Sequence, residues 1–571
     1  MPDDLETSVP RRPGTTAAVS LWLGRARGAL LRWFARLVPD EHQHVLVVTV
    51  IVGLVCGLVA VAFHLAIQAA ERLLIGNAVA LGGWRGTALV IALPAAGGLA
   101  AGVLLARVFP GSRGSGIPQV KRAYALGDGR VPFRDAIGKF LVGTLQIGSG
   151  ASLGREGPTV QICAGATTLI ARLTALPARS LRRMVPVATA AGIAAAFNAP
   201  IAAVTFTIEE IVGTLDHTVL SGVVIAAALA AVIERSVLGV HPVIEAPSGL
   251  GLDHATSLAG YALLGVLAAG VSIAFTDGLL ALRLGFRRLR RIPDWAQPAI
   301  GGLVTGVLAA AILAVFGLSG INGGGYETLG YALEGRLAVG ALLALCVAKL
   351  AATVFSYSSG GAGGIFMPAL FVGAMLGGAV GHLDVSLLGH EPRQLGAFAL
   401  VGMGAVFAGV IRAPITSVLI IFEMTGAYGL ILPLMIANMT SYVLARRHRP
   451  TPIYDALLAQ DGIVLPHGAT LAPEHRVAEA SPSARDLARP PAEGELTTGL
   501  PEVGPSLTLP ELAETLAESG AQVLVVVGES GEVAGVVTRE MVAWALLEWH
   551  PRRRREPSGP GAERGSDSSP R

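Results

Sequence analysis

The sequence carries one glycine-to-proline motif twice, GREGP at residues 154–158 and GIFMP at residues 364–368. Downstream of each copy, an Ala-Pro pair is followed nine residues after its proline by an acid, Glu209 after Pro200 and Glu423 after Pro414. The first pattern recurs after 210 residues and the second after 214, so the chain contains an internal duplication. Duplicated helix starts in an apolar chain predict a transporter architecture of two repeats, with its site where broken helices meet.

Hydrophobic residues make up 52% of the 571 residues and charged residues only 15%, which excludes an ordinary soluble protein of this length. Three long stretches, 45–70, 185–208 and 395–411, contain no Asp, Glu, Lys or Arg. Because about 20 apolar residues cross a bilayer core, we predict an all-α polytopic membrane protein. The 73 glycines favour helices that pack closely or break within the protein.

Arginines cluster on both sides of the apolar region. Arginine-rich flanks face the cytoplasm, so both termini are predicted to be cytoplasmic, with an even number of crossings of a plasma (bacterial inner) membrane. Asp3, Asp4 and Glu6 stand where a signal peptide is basic, and no cleaved leader is expected. The flanking arginines are Arg25, Arg27, Arg32, Arg36, Arg446, Arg447 and Arg449.

Composition and hydropathy divide the chain into successive regions. The first is basic and amphipathic, and we predict that it lies on the inner membrane surface. The last is basic and polar, which is typical of a disordered tail. The predicted regions are a leader at 1–43, a membrane domain at 44–460 with repeats at about 44–240 and 255–446, a linker at 461–505, a small folded unit at 506–549 and a tail at 550–571.

The small C-terminal unit shows a helix, strand, turn, strand, helix order. The signals are a capping box at 508–511, a helix stop at Gly520, a buried strand at 523–527, a turn at 529–532 and Gly-Val-Val-Thr at 535–538. This order resembles a single CBS motif. Because such motifs usually work in pairs, and Met541 stands where the pattern often has a ribose-binding aspartate, a structural or dimer-stabilising role is favoured over nucleotide binding.

Three glycine-bearing helix starts lie within the membrane domain. Each presents unpaired backbone N–H groups, tolerates proline in its first turn, and lets a ligand approach through glycine. The helix dipole adds about half a positive charge at each such end, which favours anions. One start alone is an ordinary helix entry, but three at membrane depth predict a pathway. The residues are Gly114, Ser115, Gly116, Ile117 and Pro118; Gly154, Arg155, Glu156, Gly157 and Pro158; and Gly364, Ile365, Phe366, Met367 and Pro368.

Glu156 is an ionisable residue within an apolar membrane segment, which marks a functional site. An ionised carboxylate can occupy an anion site as a tethered anion, and a protonated one can leave it, so we predict that Glu156 is a proton-operated gate. Glu209 and Glu210 are adjacent and point about 100° apart on a helix. Because Glu423 matches Glu209 in the second repeat, that shared acid is predicted to be structural, which leaves Glu210 as a candidate proton relay.

Five motifs together resemble the signature set of the CLC chloride channel and transporter family. They occur in the family's order over residues from about 44 to 460. The resemblance implies an inverted-repeat bundle with re-entrant helices, assembled as a homodimer in membrane lipid with one pore in each subunit. The motifs are Gly114-Ser-Gly-Ile-Pro118, Gly154-Arg-Glu-Gly-Pro158, Ala194-Ala-Ala-Phe-Asn-Ala-Pro200, Gly364-Ile-Phe-Met-Pro368 and Pro452-Ile-Tyr454.

The resemblance also assigns roles. It implies that Ser115 and Tyr454 donate hydroxyl hydrogen bonds to a central chloride, and that Ile365 and Phe366 offer backbone N–H groups. Glu156 aligns with an external gating glutamate and Glu210 with an internal proton-transfer glutamate, a combination that favours chloride/proton exchange. One departure is that Gln119 and Lys121 follow the first motif, where exchangers often carry acids, so the electrostatics near the inner proton entrance are expected to differ.

Other functions remain open from the residues alone. A passive chloride channel of the same family would keep the anion site without proton coupling. A divalent cation carrier using Glu156, Glu209, Glu210 and Glu423 conflicts with N–H donors at the helix starts, since cations need oxygen ligands. A serine hydrolase with Ser115 as nucleophile lacks a recognisable base. No cofactor, metal or nucleic acid is expected.

Overall fold

The structure, a computed structural model, describes residues 41–126, 129–213, 217–239, 244, 247, 249–289, 291–463, 465, 483–491, 500–507, 509–528 and 532–548. The chain divides into two compact units, residues Met1–His467 and Gly468–Arg571. The predicted leader up to residue 40, parts of the predicted linker, the turn at 529–531 and the predicted tail lie outside the described residues.

The described part of the larger unit is built from helices. Two π-helical turns, Arg72–Gly76 and Thr207–Val212, interrupt it. Its α-helices are α1 (Glu41–Glu71), α2 (Asn77–Leu81), α3 (Gly83–Arg107), α4 (Ile117–Ala125), α5 (Phe133–Gly148), α6 (Glu156–Leu173), α7 (Ala178–Phe197), α8 (Pro200–Phe206), α9 (His217–Leu238), α10 (Ser257–Arg288), α11 (Gln297–Phe316), α12 (Tyr326–Leu333), α13 (Val339–Ser358), α14 (Phe366–Leu388), α15 (Gln394–Ile411), α16 (Pro414–Thr425), α17 (Ile431–His448) and α18 (Ile453–Gln460).

Eight helical segments among the described residues are long and apolar enough to cross a membrane. This confirms the prediction of a polytopic helical membrane protein. Several remaining helices, such as α4 and α8, are too short to span about 30 Å of hydrocarbon. The spanning segments are Gln43–Leu81, Gly83–Arg107, Val219–Leu238, Ser257–Arg288, Gln297–Phe316, Val339–Ser358, Phe366–Leu388 and Gln394–Ile411.

Helices α14 and α15 form the centre of the membrane unit. Every residue of α15 is buried, and glycines bring the two backbones together. A Cβ on Gly373 would lie 2.3 Å from Gly402 O, and one on Gly377 would lie 2.1 Å from Phe398 O. Small residues therefore allow the close helix packing that stabilises membrane proteins in the absence of a hydrophobic driving force between helices.

The two repeats cap each other's helices. Glu423 accepts hydrogen bonds from the backbone N–H groups of Ile201 (3.0 Å) and Ala202 (2.6 Å) at the start of α8. Glu209 likewise accepts from Ile415 (3.1 Å) and Thr416 (2.8 Å) at the start of α16. The exchange is the reciprocal contact expected of two repeats related by a two-fold axis. It confirms the prediction that the acid shared by the repeats is structural.

The smaller unit contains helices α19 (Ala484–Leu487), α20 (Leu509–Ser519) and α21 (Arg539–Glu548) and strands β1 (Glu502–Val503), β2 (Val523–Val527) and β3 (Val533–Thr538). Strand β2 pairs parallel with β1 and antiparallel with β3. Gly520 ends α20 with a φ of +64°, as predicted. Elements α19 and β1 lie within the region that composition assigned to a linker, because such short elements carry no periodic signal.

Candidate anion site

The two copies of the duplicated motif meet in space. Gly154 N–H donates to Gly364 O and Gly364 N–H donates to Gly154 O, both at 2.7 Å. A Cβ on Gly364 would lie 3.2 Å from Gly154 O, so the approach depends on glycine. Helices α6 and α14 begin two residues later, at Glu156 and Phe366. Two helix N-termini from different repeats therefore converge, as the sequence predicted.

The third predicted start packs against the first copy. Gly116 has a φ of +101°, and a Cβ on it would lie 2.4 Å from Gly157 O; a Cβ on Gly157 would lie 2.4 Å from Ser115 O. The buried Lys139 donates from Nζ to Gly114 O at 2.7 Å. All three helix starts thus lie side by side, held by backbone contacts that a larger side chain would break.

Two hydroxyl groups at this junction are buried and unpaired. Ser115 and Tyr454 are both 0% exposed, and neither hydroxyl makes a hydrogen bond of normal geometry with any described residue. Tyr454 interacts electrostatically with Glu156, Glu210 and Tyr357, and Tyr357 in turn reaches Ser115. A buried hydroxyl without a partner costs about 1–3 kcal/mol, so two of them beside helix N-termini indicate a site that a ligand completes.

Glu156 lies at the point where the repeats meet. It is 0% exposed, and its carboxylate lies next to Gly154 and the backbone N–H of Met367 in the first turn of α14. The hydroxyl of Tyr326 donates to its Oε1 at 3.5 Å, while Oε2 has no side-chain partner among the described residues. The carboxylate therefore occupies the N-terminal end of the other repeat's helix, where the dipole and N–H groups favour negative charge.

Two cavities approach the junction. The first, of about 430 Å³, is lined by Glu156, Arg155 and Tyr326; the Arg155 guanidinium stacks 5.5 Å from the Tyr326 ring and donates to Ala196 O. The second, of about 480 Å³, is lined by Gly114 and Pro118. Its wall carries four arginines and two acids, and Asp461 pairs with two of the arginines; the charged residues are Arg113, Arg122, Arg283, Arg287, Asp294 and Asp461. Glu156 thus borders one cavity and the Ser115 loop the other.

Glu210 lies in the π-helical turn after α8, an irregularity that often marks functional positions. It is 5% exposed, whereas Glu209 points to the other repeat. Lys121 on α4 lies 2.8 Å from Glu210 Oε1 and 2.7 Å from Asp455 Oδ1 on α18. The lysine that departs from the family pattern therefore pairs directly with the predicted proton-transfer acid.

The structure brings together most of the predicted residues, with different roles for some. Ile117 and Ile365 are fully buried, and they flank the junction through their backbone. Phe366, which stands in the second repeat where Glu156 stands in the first, packs its ring against Phe197 and Phe407 with centroids 4.9 and 4.3 Å apart. In the second repeat, an aromatic cluster therefore occupies the position that carries a charged side chain in the first repeat.

Sequence reasoning missed three residues of the site. Tyr326 and Tyr357 belong to no motif, and only the tertiary contacts connect them to Glu156 and Ser115. Asp455 follows the Tyr454 motif directly. The unusual Lys121 was the available signal for it, because a lysine placed beside a predicted acidic site favours ion pairs with nearby carboxylates.

Comparisons with known proteins agree on one family. Residues 97–446 match the family model described as voltage gated chloride channel. The H(+)/Cl(-) exchange transporter ClcA of Citrobacter koseri is 32% identical over 76% of this chain and 92% of that protein. The putative chloride channel protein ClcB-like of Ralstonia nicotianae is 33% identical over 69% and 90%, respectively.

A solved structure gives the same result. The crystal structure of a slow cyanobacterial Cl-/H+ antiporter superposes with a TM-score of 0.66 at 26% identity, over 73% of this chain and 98% of that one. The structure of a eukaryotic CLC transporter has a TM-score of 0.61 at 22% identity, which extends the likeness of fold.

Proposed function

The chain belongs to the voltage gated chloride channel family, and we propose that it exchanges chloride for protons across a membrane. It is an integral multi-pass transport protein rather than an enzyme, and it needs no cofactor. The observation that carries the proposal is the fully buried Glu156 carboxylate at the N-terminus of the other repeat's helix. An acid in that position links anion occupancy to proton binding.

Chloride would bind between the helix starts. The unpaired hydroxyls of Ser115 and Tyr454 would donate to it, together with the backbone N–H groups of Ile365 and Phe366 at the N-terminus of α14. Gly116 and Ile117 would complete the wall. The hydroxyl and N–H groups can all donate to the bound ion, so the site suits a monovalent anion better than a cation that needs several oxygen ligands.

Glu156 would act as the gate between the first cavity and this site. Ionised, it competes with chloride for the N–H groups at the start of α14. Protonated, it loses most of that attraction and vacates the position, so a chloride ion can enter from the Arg155 side. Each opening then requires a proton, which is the first half of coupling.

Glu210 would exchange protons with the opposite side. It is buried, interacts with Tyr454, and connects through Lys121 to the partly exposed Asp455. The Tyr454 hydroxyl is also near enough to Glu156 for the charge of that carboxylate to act on it. A proton held at Glu210 would pass by Tyr454 to Glu156, which would supply the second half of coupling.

One observation favours a second candidate function, a passive chloride channel. The ion pair between Lys121 and Glu210 stabilises the carboxylate and would hinder its protonation, and a chain unable to load Glu210 would conduct chloride alone. Flux measurements distinguish the two functions directly.

The assembly and orientation follow the family resemblance. We propose a homodimer in which each subunit carries its own pore, with both termini on the cytoplasmic side. The C-terminal unit, with its β1–β2–β3 sheet, would serve a structural role as a single CBS-like motif.

Proteoliposomes that report chloride efflux and external pH together test the exchange. We expect a chloride gradient to drive protons in the opposite direction. Chloride flux without proton movement would reject exchange in favour of the passive channel, and the absence of both would reject chloride transport.

Two substitutions test the assigned acids. Glu156→Ala should keep chloride flux but abolish proton coupling, with Glu327→Gln on the same cavity wall as a control that leaves both intact. Glu210→Gln should stop protons and spare chloride, whereas Glu209→Gln should leave coupling unchanged. Full coupling in Glu156→Ala, or loss of both fluxes in Glu210→Gln, contradicts the respective role.

A further inference from the structure

A buried ionic triad lies behind the proposed chloride site. The Lys121 ammonium lies 2.8 Å from Glu210 Oε1 and 2.7 Å from Asp455 Oδ1. The three residues come from α4, the π-helical turn and α18, so no local sequence relation produces the cluster. One ammonium is therefore shared between two carboxylates from different elements.

Exposure is graded across the triad. The side chain of Asp455 is 27% exposed, that of Lys121 is 9% and that of Glu210 is 4%. Solvent therefore reaches the cluster at Asp455, and Glu210 is the inner member. Because both carboxylates lie within hydrogen-bond distance of the same ammonium, a proton bound at Asp455 has a short route to Glu210.

The charge count determines how many protons the triad accepts. With both acids ionised, one ammonium faces two carboxylates and the net charge is −1. A buried cluster is most stable near neutrality, since desolvation penalises uncompensated charge. Uptake of one proton neutralises the triad, and a second would leave it positive. The cluster is thus built to accept one proton.

We propose that Asp455 is the solvent-facing entry of the proton path and that Lys121 is a positioning residue that sets the triad to load a single, releasable proton. In the step, a hydronium ion from solvent protonates the Asp455 carboxylate and leaves as water, and the proton then passes from the Asp455 carboxyl group to the Glu210 carboxylate, with no other bond made or broken. The inference rests on the proposed exchange function for its physiological use.

The other groups that act on Glu210 do not change this count. Glu209, its neighbour, is held at the start of α16 by backbone N–H groups. Tyr454 on α18 interacts with Glu210 as a neutral hydroxyl. Among the described residues, the charged groups that act on Glu210 are therefore Lys121 and Asp455, with a smaller contribution from Glu209, whose carboxylate is bound at the start of α16.

The net charge of the triad predicts that two substitutions shift its protonation midpoint in opposite directions. In Lys121→Met two carboxylates face each other without a cation, so the first proton binds more tightly and the midpoint of protonation moves to higher pH. In Asp455→Asn the remaining ion pair is already neutral, so the midpoint moves to lower pH. Each shift should be about 1 pH unit or more. The double variant Lys121→Met/Asp455→Asn leaves Glu210 without either partner, and its net charge of −1 equals that of the wild-type triad. Its protonation midpoint should therefore return towards the wild-type value.

Infrared titration of the purified full chain measures this without transport. We expect one component of the protonated carboxyl band to titrate once and to be lost in Glu210→Gln/Asp455→Asn while the Glu156 component remains, with midpoints in the order Asp455→Asn, wild type, Lys121→Met. Lys121→Arg, which keeps the charge, is the matched control and should stay near the wild type. Midpoints that shift in the same direction, or do not shift, overturn the triad, because loss of structure alone does not give opposite signs.

Flux in proteoliposomes at symmetric pH separates this inference from the exchange function. If the wild type couples chloride to protons, the pH dependence of proton flux should shift among the variants in the same order as the infrared midpoints. Chloride flux should stay within about twofold of the wild type. If the wild type moves chloride without protons, the exchange function fails, and the infrared midpoints still decide whether the triad loads one proton. If the wild type is coupled and proton flux is the same in Lys121→Met, Asp455→Asn and the double variant as in the wild type, Asp455 is not the entry of the proton path.

Discussion

Glu423→Ala should lower the free energy of unfolding of the membrane unit by about 2 kcal/mol. The carboxylate accepts backbone N–H groups of Ile201 at 3.0 Å and Ala202 at 2.6 Å, two donors without an intrahelical partner at the start of α8. A hydrogen bond to a charged acceptor contributes about 1.5–3 kcal/mol. Two such bonds at the low end of that range give about 3 kcal/mol, and water that replaces part of the lost acceptor at this half-exposed site reduces the expected loss to about 2 kcal/mol.

Thermal unfolding in detergent, followed by circular dichroism, measures the effect. For a unit of this size we expect the midpoint to fall by about 2–4 °C. Glu423→Gln keeps one acceptor oxygen and should show about half of that loss. The control Glu327→Gln changes an exposed acid that accepts a hydrogen bond from Tyr331 and should be neutral. An unfolding midpoint for Glu423→Ala equal to that of the wild type would refute the reciprocal caps as a source of stability.

Three further substitutions test the packing. Gly157→Ala places a methyl group 2.4 Å from a backbone oxygen, so it should abolish chloride flux in liposomes and cost about 1–3 kcal/mol, while Gly270→Ala, with open space around it, should keep the flux. Lys349→Met removes three hydrogen bonds from a fully buried ammonium to the carbonyls of loop 320–323, and should cost several kcal/mol in thermal unfolding. Gly520→Ala strains a left-handed helix end and should lower the local stability of the C-terminal unit by about 1 kcal/mol. Faster protease cleavage within that unit would measure the loss.

Sequence repetition predicted the helix starts well, because each start has its own local signal. A glycine that permits unusual backbone angles and a proline in the first turn specify where α4, α6 and α14 begin. The reciprocal role of Glu209 and Glu423 was also predictable, since a residue shared by two repeats is expected to serve the symmetry rather than the ligand. Hydropathy likewise indicated the spans that contain 45–70 and 395–411. The uncharged stretch 185–208 is not one of the eight spans, because the chain breaks at Asn198 between α7 and α8.

Contacts between distant segments were not predictable in this way. The unusual Lys121 was visible in the sequence. Its pairing with both Glu210 and Asp455 was not, because both acids lie far from it along the chain. The same holds for Tyr326, whose hydroxyl reaches Glu156 from 170 residues away. No periodicity relates such residues, and the helix packing alone sets their distances.

The sequence by itself determined that this protein is a duplicated membrane transporter and predicted helix starts suited to anions, because apolar length and backbone-specific residues act locally. It also determined the break in symmetry, Glu156 in one repeat where Phe366 stands in the other. Only the tertiary structure decided that the two starts meet through Gly154 and Gly364, and that Lys121 is shared between two acids. Electrostatic energy depends on distance and burial, and the fold alone sets both.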